Sequence, residues 1–319
     1  MKTAILIGLG VALLALAAWL YTPDESRAEL EARYARGPAD FLQVAGLRLH
    51  VRDTGPRDAP TVLMLHGLGA SLHTWEDWAG ALPGMRVIRF DLPGFGLTGP
   101  DPTGDYSDSR SVAVILALLD QLGVQRTSLV GHSMGGRIAW RFAAVHPERV
   151  ERLVLVSPDG FSSPGFEYGK TPQVPAVAGV MPYVLPRAMV RMNLVPGYAN
   201  PAVVTDELLG RYYDLLRAPG VRAAILERTR QTVLEEPTAI LKRVPAPTLL
   251  LWGEQDAMIP FANSAEYLQA MPDVRLVGLP GVGHLPQEEA PQKSIEAVRE
   301  FLLAPPADSM PSETETPAL

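Results

Sequence analysis

The strongest constraint on the fold is a series of short apolar runs separated by segments with helical periodicity. Such runs are typical of strands that are buried on both faces of a parallel sheet. We expect strands at residues 61–65, 86–90, 127–130, 153–156, 248–252 and 274–279, after an antiparallel hairpin at 41–44 and 47–52. Helical patterns fill the gaps at residues 109–122, 134–146, 262–271 and 293–303. The alternation predicts a doubly wound α/β fold with a mostly parallel, eight-stranded sheet.

One interval interrupts this alternation. After the strand near residue 157, the next clear strand begins near residue 248. The interval holds a loop rich in Gly and Pro at residues 158–182. Three helical patterns follow, at residues 186–194, 206–216 and 221–234. Long insertions in compact domains are usually functional, and open α/β sheets bind ligands at their carboxyl edge. We therefore predict a linker at residues 22–40 and a helical cap at residues 161–243. The core is expected in two pieces, at residues 41–160 and 244–303.

Both ends of the chain differ from this body. Residues 4–20 are apolar and carry no charge, and about 17 such residues are the short end of what spans a bilayer. With Lys2 before the run and Trp19 and Tyr21 at its end, residues 1–21 are expected to form a membrane anchor or signal segment with the catalytic body exported. Secretion after signal cleavage is the alternative. Residues 304–319 are rich in Pro, Ser and Glu and are expected to be a disordered tail.

Composition excludes several kinds of chemistry. The chain has no cysteine, which removes disulfides, zinc–thiolate sites and a cysteine nucleophile. Its net charge of −7 gives no electrostatic reason to bind nucleic acid. We find no phosphate-binding loop, metal-ligand spacing or redox motif, so no cofactor and no metal are expected.

The sequence Gly131-His132-Ser133-Met134-Gly135 fits the pattern Gly-x-Ser-x-Gly. The pattern alone is weak, but here it follows a predicted strand and opens a predicted helix, as a nucleophile elbow requires. The glycines allow a tight turn around a strained serine, and the helix N-terminus points free N–H groups at developing negative charge. Ser133 is therefore the candidate nucleophile, and an ordinary helix-capping serine is the competing interpretation.

From about residue 41 to residue 303, the sequence resembles the α/β-hydrolase family, in its serine esterase- and lipase-like branch with a helical cap. The segment Leu251-Trp252-Gly253-Glu254-Gln255-Asp256 resembles the acid turn of that family, and Gly281-Val282-Gly283-His284 resembles its histidine loop. The resemblance implies a triad of Ser133, Asp256 and His284. It also implies an oxyanion hole formed by the backbone N–H groups of Leu68 and Met134.

These roles agree with acid–base chemistry. A serine hydroxyl is a poor nucleophile at neutral pH and needs a base, which His284 can provide before it protonates the leaving group. A carboxylate must hold the second imidazole nitrogen. Asp159 is a competitor for that role, because some hydrolases of this fold carry their acid after the preceding strand, and Glu254 is a third candidate. We favour Asp256.

Other motif residues have simpler interpretations. His66 in the loop after the third strand is expected to be a hydrogen-bonding residue and not a base. Asp91, in Asp91-Leu-Pro-Gly-Phe-Gly96, is expected to stabilise a turn. His50, His73 and His146 show no partner pattern and are expected to be surface or packing residues. The cap residues Phe161, Phe166, Tyr168, Tyr183, Met189, Met192, Tyr212 and Tyr213 are candidate pocket walls, and each is more typical of cap core.

The resemblance implies hydrolysis of a small or medium apolar carboxylic ester through an acyl-enzyme. A second reading is hydrolysis of a carbon–carbon bond in a ring-cleavage product, although that branch commonly has Asn at the position of His132. Epoxide hydrolases and haloalkane dehalogenases of this fold use Asp at the position of Ser133 and are disfavoured. A non-catalytic binding protein on the same fold is the alternative from another class.

Overall fold

The computed structural model describes residues 20–162, 167–172 and 174–304, together with Ile7, Gly10, Ala15 and Ala18. Most of the apolar run at residues 4–20, the cap residue Phe166 and the tail beyond residue 304 therefore lie outside the described residues. Within the described part of the chain, no helix has both the length and the apolar character needed to cross a membrane.

An eight-stranded sheet forms the centre of the molecule and confirms the predicted fold class. Its strands are β1 Phe41–Val44, β2 Leu47–Thr54, β3 Thr61–Leu65, β4 Arg86–Phe90, β5 Thr127–His132, β6 Val150–Val156, β7 Thr248–Gly253 and β8 Val274–Leu279. They lie in the order β1-β2-β4-β3-β5-β6-β7-β8. The pairs β1–β2 and β2–β4 are antiparallel, and the other pairs are parallel.

Helices cover both faces of the sheet because the inner strands are apolar on both faces. From residue 27 onward, the α-helices of the described chain are α1 Arg27–Tyr34, α2 Glu76–Gly80, α3 Asp108–Gln121, α4 Met134–Val145, α5 Arg187–Leu194, α6 Asp206–Leu216, α7 Val221–Gln231, α8 Thr238–Leu241, α9 Ser264–Ala270, α10 Pro286–Glu289 and α11 Pro291–Leu303. Along β3, Leu63 packs in the cluster with α3, α4 and α9, whereas Val62 and Met64 pack in the cluster with α2 and α11. Neighbouring side chains thus point to opposite faces, as a strand requires.

The cap rests on the loops that follow the strands. Its core joins Leu185, Val190, Leu209 and Tyr212 of the cap to Ala70 and Leu285 of the α/β core. Ala70 follows β3, and Leu285 follows His284 directly. The cap therefore packs against the same edge of the sheet at which the candidate site residues lie.

Residues 22–40 differ from the linker that the sequence predicts. They contain α1, which is capped by the side chain of Ser26 and buries Leu30 against Leu97, Leu215 and Val221. Because α1 buries only one residue, its sequence lacks the apolar periodicity that identifies a helix. The segment is a folded part of the molecule that bridges the cap and the core.

Candidate active site

Ser133 lies on a sharp turn between β5 and α4. Its backbone adopts φ 54° and ψ −120°, a conformation that non-glycine residues rarely adopt and that marks stored strain. The turn is held by the Ser133 N–H, which donates to the Val156 carbonyl at 3.0 Å, and by the Asp159 N–H, which donates to the Ser133 carbonyl at 3.0 Å. The strand–turn–helix context expected from the motif is present.

The two glycines that flank the serine turn, Gly131 and Gly135, are required because other backbone segments pass too close for a side chain. A Cβ atom on Gly131 would collide with the Gly135 carbonyl, and one on Gly135 would collide with the Leu65 carbonyl. Helix α4 thus starts directly against the ends of β5 and β3. Any side chain at either glycine would push the serine turn away from these strands.

Asp256 and His284 are hydrogen-bonded partners. The Nδ1 atom of His284 lies 2.7 Å from Oδ2 of Asp256, and both side chains are buried. The other oxygen, Oδ1, accepts the N–H groups of Met258 and Ile259, each at 2.8 Å. Three hydrogen bonds thereby hold the carboxylate in place, and one of them occupies Nδ1 of the imidazole.

The acid turn and the histidine loop are joined through their backbones. Glu254 N–H donates to the Leu279 carbonyl at 3.1 Å, and Gln255 N–H donates to the Val282 carbonyl at 3.0 Å. Gly253 is needed there, because a Cβ atom would collide with the Gly283 carbonyl. The backbone of Glu254 serves this junction while its side chain is exposed. Asp256, two residues later, is the acid that reaches the histidine.

Asp159, the competing acid, is occupied elsewhere. Its carboxylate pairs with the buried Arg137, which also pairs with Asp108 at 2.9 Å. Burial lowers the pKa of Arg137, but Asp159 and Asp108 outweigh that effect and raise it above the usual value. The Asp159 carbonyl accepts hydrogen bonds from Trp140 and Tyr267. The geometry places Asp159 in a structural network beneath the serine turn.

The two expected oxyanion donors lie on neighbouring strand ends. Strands β3 and β5 pair in parallel with Leu65 opposite Gly131, so the loop after β3 lies beside the serine turn. The contact is close, because a Cβ atom on Gly67 would lie 3.2 Å from Cβ of Ser133. Leu68 follows Gly67 directly, and Met134 is the first residue of α4, where N–H groups are free of intrahelical partners. The roles of Leu68 and Met134 stay predictions.

Two further histidines, His66 and His132, pack around the site, and of their four ring nitrogens only the buried Nδ1 of His132 has no hydrogen-bond partner. His66 donates from Nδ1 to the Gly67 carbonyl at 2.8 Å and accepts the Leu92 N–H at Nε2 at 2.9 Å. His132 donates from Nε2 to the His284 carbonyl at 2.8 Å, and the two rings lie 4.6 Å apart. Burial lowers the pKa of both His66 and His132. Both rings are therefore neutral supports of the site loops.

His50, which was expected to be a surface or packing residue, is a packing residue with a charged partner. His50 is fully buried, and its Nδ1 lies 2.8 Å from Oδ2 of Asp91. The same carboxylate accepts the N–H groups of Leu72 at 2.7 Å and Leu97 at 2.8 Å, so Asp91 ties together a strand and two loops. Burial raises the pKa of Asp91, but nearby histidines, His50 first, outweigh it and hold the pKa well below the usual range. This agrees with the structural role expected for Asp91.

Two glutamates of α10 connect the histidine loop to the cap and were not found from the sequence. Glu289 accepts the N–H groups of Gly283 at 2.6 Å, Asn200 at 2.7 Å and Ala199 at 3.2 Å. Glu288 accepts hydroxyl protons of the cap residues Tyr198 and Tyr212 and pairs with Arg211. Their partners in the cap lie far away in the sequence and form no local pattern.

The cap residues named from the sequence differ in burial. Phe161 and Tyr212 are buried, as expected of cap core, and Tyr183, Met189 and Met192 are exposed, while Tyr168 and Tyr213 are half-buried. The exposed residues are therefore not part of the cap core, and the pocket-wall role stays a prediction.

Comparison with known proteins agrees with the fold. Residues 60–178 match a family model described as the alpha/beta hydrolase fold. The chain is 31% identical over 275 residues to 2-hydroxymuconate semialdehyde hydrolase of Pseudomonas putida, covering 82% of this chain and 92% of that protein. Its structure matches the meta-cleavage product hydrolase of Pseudomonas fluorescens IP01 with a TM-score of 0.71 and 27% identity, over 82% of this chain and 98% of that one. It also matches a bacterial membrane phospholipase A with a TM-score of 0.72 and 28% identity, over 95% of this chain and 98% of that one.

The chain belongs to the α/β-hydrolase family. It is an enzyme, a hydrolase of the serine-nucleophile type found among these relatives.

Proposed function

We propose that this hydrolase cleaves small or medium carboxylic esters through an acyl-enzyme formed on Ser133. One observation carries the proposal: the hydrogen-bonded pair of Asp256 and His284 is fixed on loops at the sheet edge where Ser133 occupies its strained turn. Nucleophilic catalysis by a serine needs a base beside the nucleophile and a third residue that orients the base.

The proposed reaction follows from these contacts. Since Nδ1 of His284 is bound to Asp256, Nε2 is the nitrogen that takes the proton from the Ser133 hydroxyl. The serine oxygen attacks the ester carbonyl, and the backbone N–H groups of Leu68 and Met134 stabilise the oxyanion. His284 then protonates the departing alcohol. Water, deprotonated by His284, attacks the acyl-enzyme, releases the carboxylic acid and restores the serine proton.

Two features support an apolar ester as substrate. The cap covers the sheet edge with an apolar core that includes Leu285, the residue after His284. The match with a membrane phospholipase A spans 95% of this chain and therefore extends beyond the segment shared with the meta-cleavage product hydrolase. No cofactor is part of the proposal, because a serine triad needs none.

Carbon–carbon bond hydrolysis is the second candidate, and the identity of 31% to 2-hydroxymuconate semialdehyde hydrolase favours it. Against it stands His132, at a position where that branch commonly has Asn. The test is a panel of p-nitrophenyl esters from acetate to palmitate, assayed beside a vinylogous diketone. We expect the highest kcat/KM on a short or medium ester. A higher kcat/KM on the diketone would assign the chain to carbon–carbon hydrolysis.

We also propose that residues 1–21 anchor the enzyme in a membrane and that the body is exported to the periplasmic or extracellular side. The support is the charge-free run at residues 4–20. We expect the full-length chain to fractionate with membranes, and a chain lacking residues 1–21 to be soluble and active. Recovery of the full-length, uncleaved chain in the soluble fraction would contradict the anchor.

A further inference from the structure

The cap exposes five large apolar side chains in the segment from Val177 to Met192. Val177, Val180 and Tyr183 are 72%, 49% and 62% exposed, and Met189 and Met192 on α5 are 41% and 67% exposed. We call these five residues the cap patch. They lie close together in the chain, whereas the other exposed apolar residues of the described core, such as Val145 and Leu268, are dispersed along it. Isolated exposed apolar residues need no explanation, whereas their concentration in one segment of the chain points to an interaction surface.

The chain that leaves the apolar N-terminal run enters the fold directly beside this patch. The Thr22 N–H donates to the Tyr183 carbonyl at 2.8 Å, and the Leu185 N–H donates to Oγ1 of Thr22 at 3.1 Å. Tyr21, the residue between the run and this contact, is 58% exposed. The residues that follow the apolar run, Tyr21 and Thr22, therefore lie beside Tyr183 of the cap patch.

Further contacts fix this junction to the cap. Glu25 N–H donates to the Arg217 carbonyl at 2.8 Å, and Asp24 accepts the Gly220 N–H at 3.0 Å and pairs with Arg222 at 2.6 Å. The segment after the apolar run is thus not a free tether. An anchor at residues 1–21 would hold the cap at a defined distance from the bilayer.

The charges around the patch also fit a membrane surface. Residues 171–186 contain no acidic or basic residue, although the whole chain has a net charge of −7. Arg187 and Arg191 follow on the exposed side of α5, and their hydrogen bonds go to the carbonyls of Asp206 and Val204 and not to carboxylates. Exposed aromatic residues and arginines beside an apolar surface are typical of the interfacial region of a bilayer.

We propose that the cap patch docks on the lipid bilayer in which residues 1–21 are anchored, and that the ester substrate reaches the enzyme from that bilayer. The proposal rests on the anchoring proposed above. The bilayer is the favoured occupant because the anchor makes docking an intramolecular event at high effective concentration. The substrate class becomes an amphiphilic ester that partitions into membranes.

The absence of cysteine allows a direct test on the full-length protein. The variants Val177→Cys, Val180→Cys and Val145→Cys are each labelled with one environment-sensitive fluorophore on the new cysteine. Val145→Cys is the matched control. Val145 is 60% exposed and ends α4, which begins at the carboxyl edge of the sheet, so about 18 Å of helix separates it from the cap side. The labelled proteins are reconstituted in vesicles of phosphatidylethanolamine and phosphatidylglycerol, with and without a lipid-borne quencher.

We expect the lipid-borne quencher to quench the labels at positions 177 and 180 about twofold or more strongly than the label at position 145. Equal quenching at all three positions, in protein that floats with the vesicles, would overturn docking while leaving the anchor intact. Energy transfer between labels at position 180, without quenching by lipid, would show that a second copy of the chain covers the cap patch. That result would also overturn docking on the bilayer. Protein that does not float with the vesicles would contradict the anchoring, and this proposal with it.

Activity gives a second, independent readout. On soluble p-nitrophenyl acetate, we expect full-length Val180→Asp and Val145→Asp to match the unmodified enzyme. On p-nitrophenyl decanoate dispersed in the same vesicles, we expect Val180→Asp alone to lose about tenfold, which corresponds to roughly 1.4 kcal/mol of docking free energy. Full activity of Val180→Asp on the vesicle-borne ester would contradict delivery of substrate from the bilayer.

Discussion

The Asp256 carboxylate accepts a hydrogen bond from Nδ1 of His284 at 2.7 Å. Its competitor, Asp159, pairs instead with Arg137. We therefore expect Asp256→Asn to lower kcat on an ester by about 10⁴, because an asparagine no longer stabilises the imidazolium. Asp159→Asn should lower kcat only modestly, since Arg137 keeps its second partner, Asp108.

Circular dichroism on both variants separates loss of catalysis from loss of folding. The reverse order of the two effects would move the triad acid to Asp159. Two modest losses would mean that either carboxylate can serve His284.

Glu289 is expected to position His284 from outside the reacting groups. Its carboxylate holds the Gly283 N–H on one side and the cap residues Ala199 and Asn200 on the other. Loss of that clamp should displace the histidine loop, and a misplacement of about 1 Å can cost about 10²-fold in rate. We expect Glu289→Gln to lower kcat with little change in KM.

The matched control is Glu296→Gln, because Glu296 is an exposed glutamate on α11. A rise in KM at unchanged kcat for Glu289→Gln would indicate a role in substrate binding and would contradict a role in positioning His284.

Stability should fall between pH 6.5 and pH 4 because of His73. Its Nε2 donates to the Tyr34 carbonyl at 3.0 Å, and burial lowers the pKa of His73 to about 4, while Asp91 partly opposes this shift. The unfolded chain therefore binds this proton at a higher pH than the folded chain does. The stabilisation is complete above about pH 6.5 and is lost as the pH falls toward 4, by up to about 3 kcal/mol.

Denaturant unfolding at pH 7 and pH 4.5 measures this effect. In His73→Gln, the difference in unfolding free energy between the two pH values should shrink, whereas in His146→Gln, a half-exposed control, it should stay as in the unmodified protein. An unchanged difference in His73→Gln would rule out His73 as the source.

The strands were predictable because their apolar runs record burial on both faces of the sheet. The observed strands β3, β4 and β8 have the expected bounds, and helix α4 ends one residue before the expected end. Helix α1 was missed because its residues are mostly polar and only Leu30 is buried. Burial against other parts of the chain determines that helix, and a local window of sequence does not contain that information.

The difference between local sequence patterns and contacts of distant residues applies to the candidate site as well. Ser133 and His284 stand in local motifs, so a short segment identifies each of them. The pairing of His50 with Asp91 and the contacts of Glu289 with Ala199 and Asn200 join residues that are distant in sequence. Only the crossing of the strands and the placement of the cap bring these residues together.

The most direct test of the central claim is labelling of the enzyme with a fluorophosphonate, followed by tandem mass spectrometry of the peptide that spans residues 127–137. Only an activated serine reacts with such a probe, and Ser128 in the same peptide is an internal control. We predict one adduct, on Ser133, formed in step with the loss of ester hydrolysis and absent in Ser133→Ala, whose kcat should fall by about a millionfold. An adduct on another residue, or Ser133→Ala with more than a few per cent of the original turnover, would contradict the account.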